Sequence, residues 1–375
     1  MHQYPETARY GFEVREHSPY QSHDSRVHAA VPLTSKRGEF DNWPHLLNHG
    51  QPFCGYGARP WPYDEAFHQT TWTMNKAIEY VDRRDPEAPF FAHVGFVAPH
   101  PPSVPPACYY DRYANADLTP PAVGEWAEGP DGGAVGLSPL SGWIPLGEDR
   151  KSRQIRDSMA GYYGAIQHLD DMLFNLFYRL GMSETGPTYV LFCSDHGDML
   201  GDHHMFRKCR PYEGAMRVPF LLHGPDVPSD TVVDAPVTLE DVLPTFCELA
   251  GVTVPGHVEG RSVMPLVRGE AGAARDFVHG EMANQYGMPG FHTLSSGREK
   301  YIWFSQSGRE QLFDLTDDPR ECRDRAGDKD AGPALRRWRD ALTRTLKGRD
   351  EGFVQDDELV AGRDHAPVMR HAVRA

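Results

Sequence analysis

Residues 188–208, TYVLFCSDHGDMLGDHHMFRK, join a short apolar run to a cluster of acids and imidazoles. The run TYVLF has the length and the β-branched and aromatic composition of a buried strand. The sixteen residues that follow, CSDHGDMLGDHHMFRK, include six Asp or His and end in a lysine. A polar cluster directly after a buried strand is typical of an α/β fold, in which ligands bind beyond the carboxyl ends of the strands.

Segments on both sides of this stretch alternate between strand-like and helix-like patterns. Two more apolar runs have the length of buried strands, PFFAHVGFVA at residues 89–98 and VPFLLHG at residues 218–224. Helical spacing of apolar residues recurs in three segments, residues 69–84, 152–182 and 238–252. The second of these segments places one apolar stripe on a helix, formed by Ile166, Leu169, Leu173, Leu176 and Leu180. The alternation predicts a mostly parallel sheet sandwiched by helices.

The pattern changes after about residue 270. The segments FVHGEM, FHTLSSGREKYIWFSQ and EQLFDLTDDP read as short strands separated by turns, and ALRRWRDALTRTLKG reads as an amphipathic helix. We therefore expect an α/β domain over residues 1–268 and a small C-terminal antiparallel α+β subdomain over residues 269–348. Residues 349–375 are polar and are expected to form a loose tail.

Composition excludes several classes of protein. Of the 375 residues, 39% are hydrophobic and 11% aromatic, which is an ordinary globular composition. The net charge of −15 argues against a nucleic-acid-binding or membrane-binding surface. No apolar run is long enough to span a membrane, and the N-terminus lacks the pattern of a signal peptide. The six cysteines are scattered, which favours reduced thiols and a cytoplasmic location.

Asp195 and His196 are the first candidates for chemistry in the polar cluster. They are adjacent at the predicted strand end, and Gly197 lets the backbone turn sharply after them. A carboxylate suits Ca²⁺, Mg²⁺ or Mn²⁺, while an imidazole shifts the preference toward Mn²⁺ or Zn²⁺. The alternative interpretation is an Asp that caps a turn beside a surface His.

The other polar residues of this region have simpler interpretations. Four of them predict a solvated, turn-forming loop: Asp198, Asp202, His203 and His204. Lys208 is either a surface lysine or a cation that faces an anionic ester. Glu213 and Arg217 have the i,i+4 spacing of an ion pair on one helical turn. His100 follows another predicted strand between prolines, APHPPSVPP, and is either an anion-facing donor or a polar loop residue.

Taken together, seven segments resemble the sulfatase family of the alkaline-phosphatase superfamily. They occur in the family's order and with its gaps, over about residues 66–325. The segments are APFFAHVGFVAPHPPSVPPACYY, MAGYYGAIQHLDDML, YVLFCSDHGDMLGDH, FRKCRPYEGAMRVPFLLHGP, TLEDVLPTFCELAGV, GRSVMPLVRG and QLFDLTDDPRE. The resemblance is strongest to the bacterial branch with choline sulfatases and phosphonate monoester hydrolases. It implies an alkaline-phosphatase-like fold.

The resemblance also implies roles for particular residues. Asp195 and His196 match the family's late pair of metal ligands, for one divalent cation that is Ca²⁺, with Mn²⁺ as the alternative. Lys208 matches the lysine that contacts the ester oxyanion, and His100 matches the histidine that faces the sulfate. His2 matches the histidine of the family's GKMH segment. The implied partner is a small-molecule sulfate or phosphonate ester, and a homo-oligomer is possible.

The family's nucleophile is missing from this sequence. It is a Cys or Ser in a C/S-x-P-x-R motif, with the Cys oxidised to formylglycine, and no segment of the chain matches that motif. The early Asp pair of the family's metal site and the lysine before MH are also absent. All these parts belong to the family's N-terminal segment, so we expect a chain that is truncated within the family's pattern.

Two functions follow from the sequence. The first is a metal-dependent hydrolase of sulfuric, phosphonic or phosphoric monoesters, whose activity requires a nucleophile from outside this sequence. The second is a non-catalytic protein that keeps the sulfatase scaffold and binds an anion or a partner.

Overall fold

The computed structural model describes residues 11–16, 57–127, 149–182, 187–284 and 288–365. The chain divides into two units, one formed by Met1–Thr119 with Gly147–Gly186 and the other by Pro120–Leu146 with Pro187–Ala375. The second unit contains residues on both sides of position 268, where the sequence predicted a domain boundary. His2 lies outside the described residues.

The longer elements of secondary structure in the described residues of the first unit are helices. Its helices are α1 Gln69–Arg83, α2 Ala107–Ala114 and α3 Asp149–Met182, and both α1 and α2 pack on α3. Met74 and Val81 of α1 bury their side chains against Leu176 of α3. The predicted stripe of α3 is therefore buried at Leu176, but Ile166 at its other end is 41% exposed.

The apolar run at residues 89–98 does not form the predicted strand. No strand is assigned there, and the side chain of Phe91 is 57% exposed. A strand needs a hydrogen-bonded neighbour, and the sheets in the described residues are formed by other segments of the chain.

Among the helices that the structure describes, none has both the length and the apolar character of a membrane span.

The second unit contains three small sheets and four helices in its described residues. The helices are α4 Glu213–Met216, α5 Val242–Leu249, α6 Met264–Val267 and α7 Gly332–Leu346. The strands are β1 Val190–Cys193, β2 Phe220–His223, β3 Val278–Met282, β4 Phe291–Ser295, β5 Glu299–Phe304, β6 Glu310–Asp314, β7 Val354–Gln355 and β8 Glu358–Leu359.

The strands β1 and β2 pair antiparallel, which corrects the prediction of a mostly parallel sheet for these two runs. Val190 lies opposite His223, and Cys193 lies opposite Phe220. Parallel neighbours need a crossover connection, usually a helix of a dozen or more residues that packs on the sheet. The connection here, residues 194–219, contains a single four-residue α-helix and turns back instead. All paired strands in the described residues are antiparallel.

The C-terminal antiparallel sheet that the sequence predicts is present, with strand order β3-β4-β5-β6. In β5, Tyr301 and Trp303 point to one face and pack with residues of α7, including Trp338. Ile302 and Phe304 point to the other face. Both faces are covered, so residues 301–304 of β5 form a continuous apolar run, and each large side chain contributes about 1.5–3 kcal/mol by its burial.

The predicted helix near residue 240 begins at Thr238, where a side chain of the first turn binds the backbone. The N–H of Thr238 donates to Oδ2 of Asp241 at 2.8 Å, and the same carboxylate binds the guanidinium of Arg275 at 2.8 and 2.9 Å. The helix α5 ends before Gly251, whose φ of +66° is a conformation that glycine adopts without strain.

The segment after residue 349 differs from the expected loose tail over residues 349–365. Phe353 is fully buried in the cluster that α7 forms with the sheet, and β7 and β8 form a hairpin after it. Arg349 donates to Glu281 of β3 at 2.6 Å. The buried aromatic ring and the ion pair hold this polar segment on the sheet.

Candidate functional site

The candidate site begins where β1 ends. Asp195 and His196 follow Cys193 after one residue, and the Asp195 side chain is 83% exposed while that of His196 is 29% exposed. The backbone N–H of His196 donates to Oδ1 of Asp195 at 3.0 Å. Oδ2 of the same carboxylate lies 3.6 Å from Nε2 of His196. The carboxylate and the imidazole therefore converge on one point beyond the strand.

The geometry of this pair fits two ligands of one cation. Nδ1 of His196 lies 2.8 Å from the carbonyl oxygen of Gly197, so it carries the proton, and Nε2 presents its lone pair. Ligand distances of about 2.0–2.5 Å from a shared cation place two ligand atoms roughly 3–4 Å apart. The separation of 3.6 Å lies in that range. Within the described residues of the second unit, no third His, Cys, Asp or Glu ligand joins the pair.

Gly197 allows the close approach that turns the chain after His196. Its N–H donates to the carbonyl oxygen of Ala215 at 2.8 Å. A Cβ atom at position 197 would lie 2.2 Å from the carbonyl oxygen of Gly214, which is far inside van der Waals contact. The site turn is thereby fixed against α4.

Asp198 closes the loop that carries Lys208. Its Oδ1 accepts hydrogen bonds from the backbone N–H groups of Leu200 and Arg207, both at 2.8 Å. Burial raises the pKa of Asp198, while these two hydrogen bonds and the positive charge of nearby Lys208 oppose the rise. Lys208 therefore lies near the buried carboxylate of Asp198.

The loop from residue 200 to residue 209 stores backbone strain. Five of its residues other than glycine have left-handed φ angles: Leu200 (46°), His203 (53°), His204 (65°), Arg207 (69°) and Cys209 (68°). Such conformations persist only where the surroundings hold them, and they concentrate at functional sites. Here the hydrogen bonds of Met199 N–H to Arg207 and of Gly201 N–H to Met205 hold the loop closed.

The loop rests on the C-terminal sheet and is not a solvated turn as the sequence predicted. Met205 and Tyr212 pack against the face of β5 that carries Ile302. His203 is 1% exposed, its Nδ1 accepts from the N–H of Gly124 at 3.1 Å, and burial lowers its pKa to about 4. His203 is therefore a neutral, hydrogen-bonded core residue.

Glu213 forms a different ion pair from the one that its spacing predicts. In the described residues it pairs with Lys300 at 2.6 Å and not with Arg217. Lys300 also pairs with Glu321 at 2.9 Å, and both residues are about 1% exposed. Glu321 in turn accepts from the N–H of Glu213 at 2.7 Å. This buried group fixes α4, against which the site turn lies, to β5.

The remaining site candidates lie in different parts of the molecule. Lys208 is half-buried in the second unit, beside Asp198. His100 is half-buried in the first unit, where its Nδ1 lies 2.7 Å from the carbonyl oxygen of Pro101. Asp195, His196 and Lys208 therefore lie in one connection, residues 194–219, and the role of His100 stays a prediction.

Sequence reasoning missed the organising role of Asp198. Its contact with Leu200, two residues on, is an Asx turn that the sequence alone can suggest. Its contact with Arg207, nine residues on, depends on the left-handed residues between them and has no local signal.

Comparison with known proteins identifies the family of the chain. A family model described as Sulfatase matches residues 17–252, and one described as N-sulphoglucosamine sulphohydrolase, C-terminal, matches residues 201–347. The chain belongs to the sulfatase family. The second match spans both the Lys208 loop and the C-terminal sheet on which that loop packs.

Individual sulfatase-family relatives extend over most of the chain. An arylsulfatase of Clostridium perfringens is 34% identical over 96% of this chain and 77% of its own length. A choline-sulfatase of Rhizobium meliloti is 31% identical over 78% of this chain, which spans 57% of that relative. The crystal structure of a phosphonate monoester hydrolase of Agrobacterium radiobacter matches 80% of this chain and 65% of that one, with a TM-score of 0.64 and 25% identity.

Proposed function

We propose that this chain forms the cation-binding and oxyanion-binding part of a sulfatase-type site that acts on sulfate or phosphonate monoesters. The observation that carries the proposal is the convergence of Asp195 and His196, 3.6 Å apart, on a loop whose Asp198 also lies beside Lys208. The names of the relatives, arylsulfatase, choline-sulfatase and phosphonate monoester hydrolase, support a sulfate or phosphonate monoester as the substrate.

The chemistry of ester cleavage explains these residue types. Negative charge develops on the equatorial and leaving oxygens of the sulfur or phosphorus centre. A divalent cation held by Asp195 and His196 would supply Lewis-acid stabilisation of that charge. Lys208 would contribute a fixed positive charge to the oxyanion, and His100 would donate a hydrogen bond to it or a proton to the leaving alkoxide.

The sulfate-binding experiment tests this assignment without requiring turnover. Calorimetry of the purified chain with inorganic sulfate, in the presence of Ca²⁺ or Mn²⁺, is expected to show metal-dependent binding. Asp195→Ala is expected to abolish it, and Lys208→Ala to weaken it about 10–100-fold, the worth of a charged hydrogen bond. Lys329→Ala is the matched control, because Lys329 is exposed and lies outside the site. Sulfate binding that survives both Asp195→Ala and Lys208→Ala would place the anion site elsewhere.

The metal affinity itself is expected to be low in this chain. Two protein ligands leave most of the coordination shell of Ca²⁺ or Mn²⁺ to water. Tight, stoichiometric Ca²⁺ binding that Asp195→Ala leaves unchanged would show that the cation binds at another place.

A second candidate function is a non-catalytic, anion-binding sulfatase-fold protein. The observation that favours it is the lack of a C/S-x-P-x-R segment in this sequence. Nucleophile positioning and activation contribute several powers of ten in rate, so we expect no detectable hydrolysis of 4-nitrophenyl sulfate or a phosphonate monoester by this chain. Turnover that Lys208→Ala and His100→Ala both depress would identify the chain as an enzyme with a nucleophile of another type.

A further inference from the structure

The strands β3 and β4 bring two histidines and a glutamate together on one face of the C-terminal sheet. His279 and Glu281 are two residues apart on β3, so their side chains point the same way. His292 of β4 lies directly opposite Glu281 in the register of the pair. The sequence indicates the strands but gives no sign that these three side chains meet.

The three side chains converge closely enough to share an ion. Nδ1 of His292 lies 3.1 Å from Nε2 of His279 and 3.2 Å from Oε2 of Glu281. One ligand atom from each residue lies within 4.8 Å of the other two. Nδ1 of His292 carries at most one proton, which cannot serve both Nε2 of His279 and Oε2 of Glu281 fully, whereas a cation between the three atoms would use a lone pair of each.

A fourth imidazole stands beside this group. The ring of His365 stacks on that of His292 with centroids 4.8 Å apart. Both ring nitrogens of His365 are buried and lack a hydrogen-bond partner in the described residues, and Nε2 of the fully buried His292 lacks one as well. Buried polar atoms without partners are rare in native proteins, and a bound ion is one of the ways in which such atoms are satisfied.

The charges around the group accommodate a divalent cation. Arg349 donates to Oε2 of Glu281 at 2.6 Å and to Glu351 at 2.7 Å. Two carboxylates and one guanidinium have a net charge of −1, so a divalent ion brings the group to +1. Arg349 is, however, a competitor for the oxygen of Glu281 that faces His292.

We propose that His279, Glu281 and His292 bind one transition-metal ion of the Zn²⁺ type, with His365 as a fourth ligand after rotation of its ring. Imidazoles with one carboxylate suit Zn²⁺, Co²⁺ or Ni²⁺, whereas Ca²⁺ and Mg²⁺ prefer shells of oxygen atoms. The ion would join β3 to β4 and hold the segment that carries His365. This is a structural site, separate from Asp195 and His196.

The test is a titration of the metal-free full chain with Co²⁺, followed by its visible absorption. The background is Asp195→Ala with His196→Ala, so that the other candidate pair does not contribute. We expect one equivalent of Co²⁺ with the intense absorption of a tetrahedral site and its displacement by Zn²⁺. No binding, or six-coordinate absorption alone, would overturn the proposal.

Variants assign the ligands. His279 is only partly buried, so His279→Ala should fold, and we expect it to weaken Co²⁺ binding at least about 100-fold. His257→Ala is the control, because His257 is an exposed histidine of another loop. Unchanged Co²⁺ affinity in both His279→Ala and Glu281→Gln would show that the three side chains form only a hydrogen-bonded cluster.

Arg349→Met separates the two interpretations further. If Arg349 competes with the metal for Glu281, its removal tightens Co²⁺ binding, while thermal stability without metal falls because an ion pair is lost. A cluster with no metal role predicts the loss of stability with no change in the Co²⁺ titration, and that result would also contradict the proposal.

Discussion

Replacement of Asp198 tests whether its carboxylate holds the loop of residues 200–209, which carries Lys208, in its conformation. Oδ1 of Asp198 accepts from the N–H groups of Leu200 and Arg207 at 2.8 Å each, across a segment with left-handed residues. Asp198→Ala removes both acceptors, whereas Asp198→Asn keeps an oxygen in the same place. The two variants therefore differ mainly in whether these two backbone donors keep a partner.

The magnitude follows from these two contacts. Each backbone N–H left without a partner costs about 1–3 kcal/mol, so Asp198→Ala is expected to destabilise the loop by about 2–4 kcal/mol after partial rehydration. Asp198→Asn is expected to cost under about 1 kcal/mol. Burial raises the pKa of Asp198 in the folded protein above the usual 3.8. Between the unfolded-state and folded-state pKa values, the folded protein therefore binds more protons than the unfolded chain. The contribution of Asp198 to stability falls as the pH rises through this range, and Asp198→Asn removes the dependence.

The assay is hydrogen exchange of the peptide that spans residues 199–208, measured by mass spectrometry, together with the urea midpoint. We expect exchange at least about 30-fold faster in Asp198→Ala than in wild type, since 2 kcal/mol corresponds to about that factor, and near-wild-type exchange in Asp198→Asn. Metal-dependent sulfate binding should also fall in Asp198→Ala, because the loop that positions Lys208 is no longer held in place. Equal exchange in the two variants would refute the idea that Asp198 acts by accepting these hydrogen bonds.

Three further perturbations test the elements around the site. Lys300→Met leaves the buried carboxylate of Glu321 without its partner, so we expect a loss of about 3–5 kcal/mol near neutral pH. Burial raises the pKa of Glu321, so the loss is expected to shrink as the pH falls and that carboxylate becomes protonated; urea midpoints at neutral and acidic pH measure the difference. Gly197→Ala places a Cβ 2.2 Å from the oxygen of Gly214, and lost sulfate binding with a lowered melting temperature is expected, whereas wild-type values would mean that the turn adapts. His203 titrates near pH 4 when folded and near 6.5 when unfolded, so its contribution to stability falls on acidification between these values, and His203→Asn should flatten the measured pH profile of the melting temperature there.

Several features of this protein arise from local patterns and could be predicted from the sequence. Helical periodicity located α1 and α3, and the capping Thr238 and Gly251 marked the ends of the helix around α5. Alternating turns and apolar runs indicated the antiparallel sheet β3–β6. The closeness of the Asp195 and His196 side chains, 3.6 Å apart, could also be predicted, because side chains on neighbouring residues of a turn can converge without help from distant parts of the chain. Their role as metal ligands stays a prediction.

The meeting of distant residues, in contrast, depends on long-range packing. An apolar run has the same composition whether its neighbour is parallel, antiparallel or absent. The antiparallel pairing of β1 with β2 and the lack of an assigned strand at residues 89–97 therefore had no local signal. Glu213 pairs with Lys300 and not with Arg217, its neighbour one helical turn away. A buried lysine without an ion-pair partner is costly, whereas an exposed ion pair on one helical turn contributes little to stability. The group of His279, Glu281 and His292 likewise exists only through the register of β3 on β4, which the packing of the whole sheet sets.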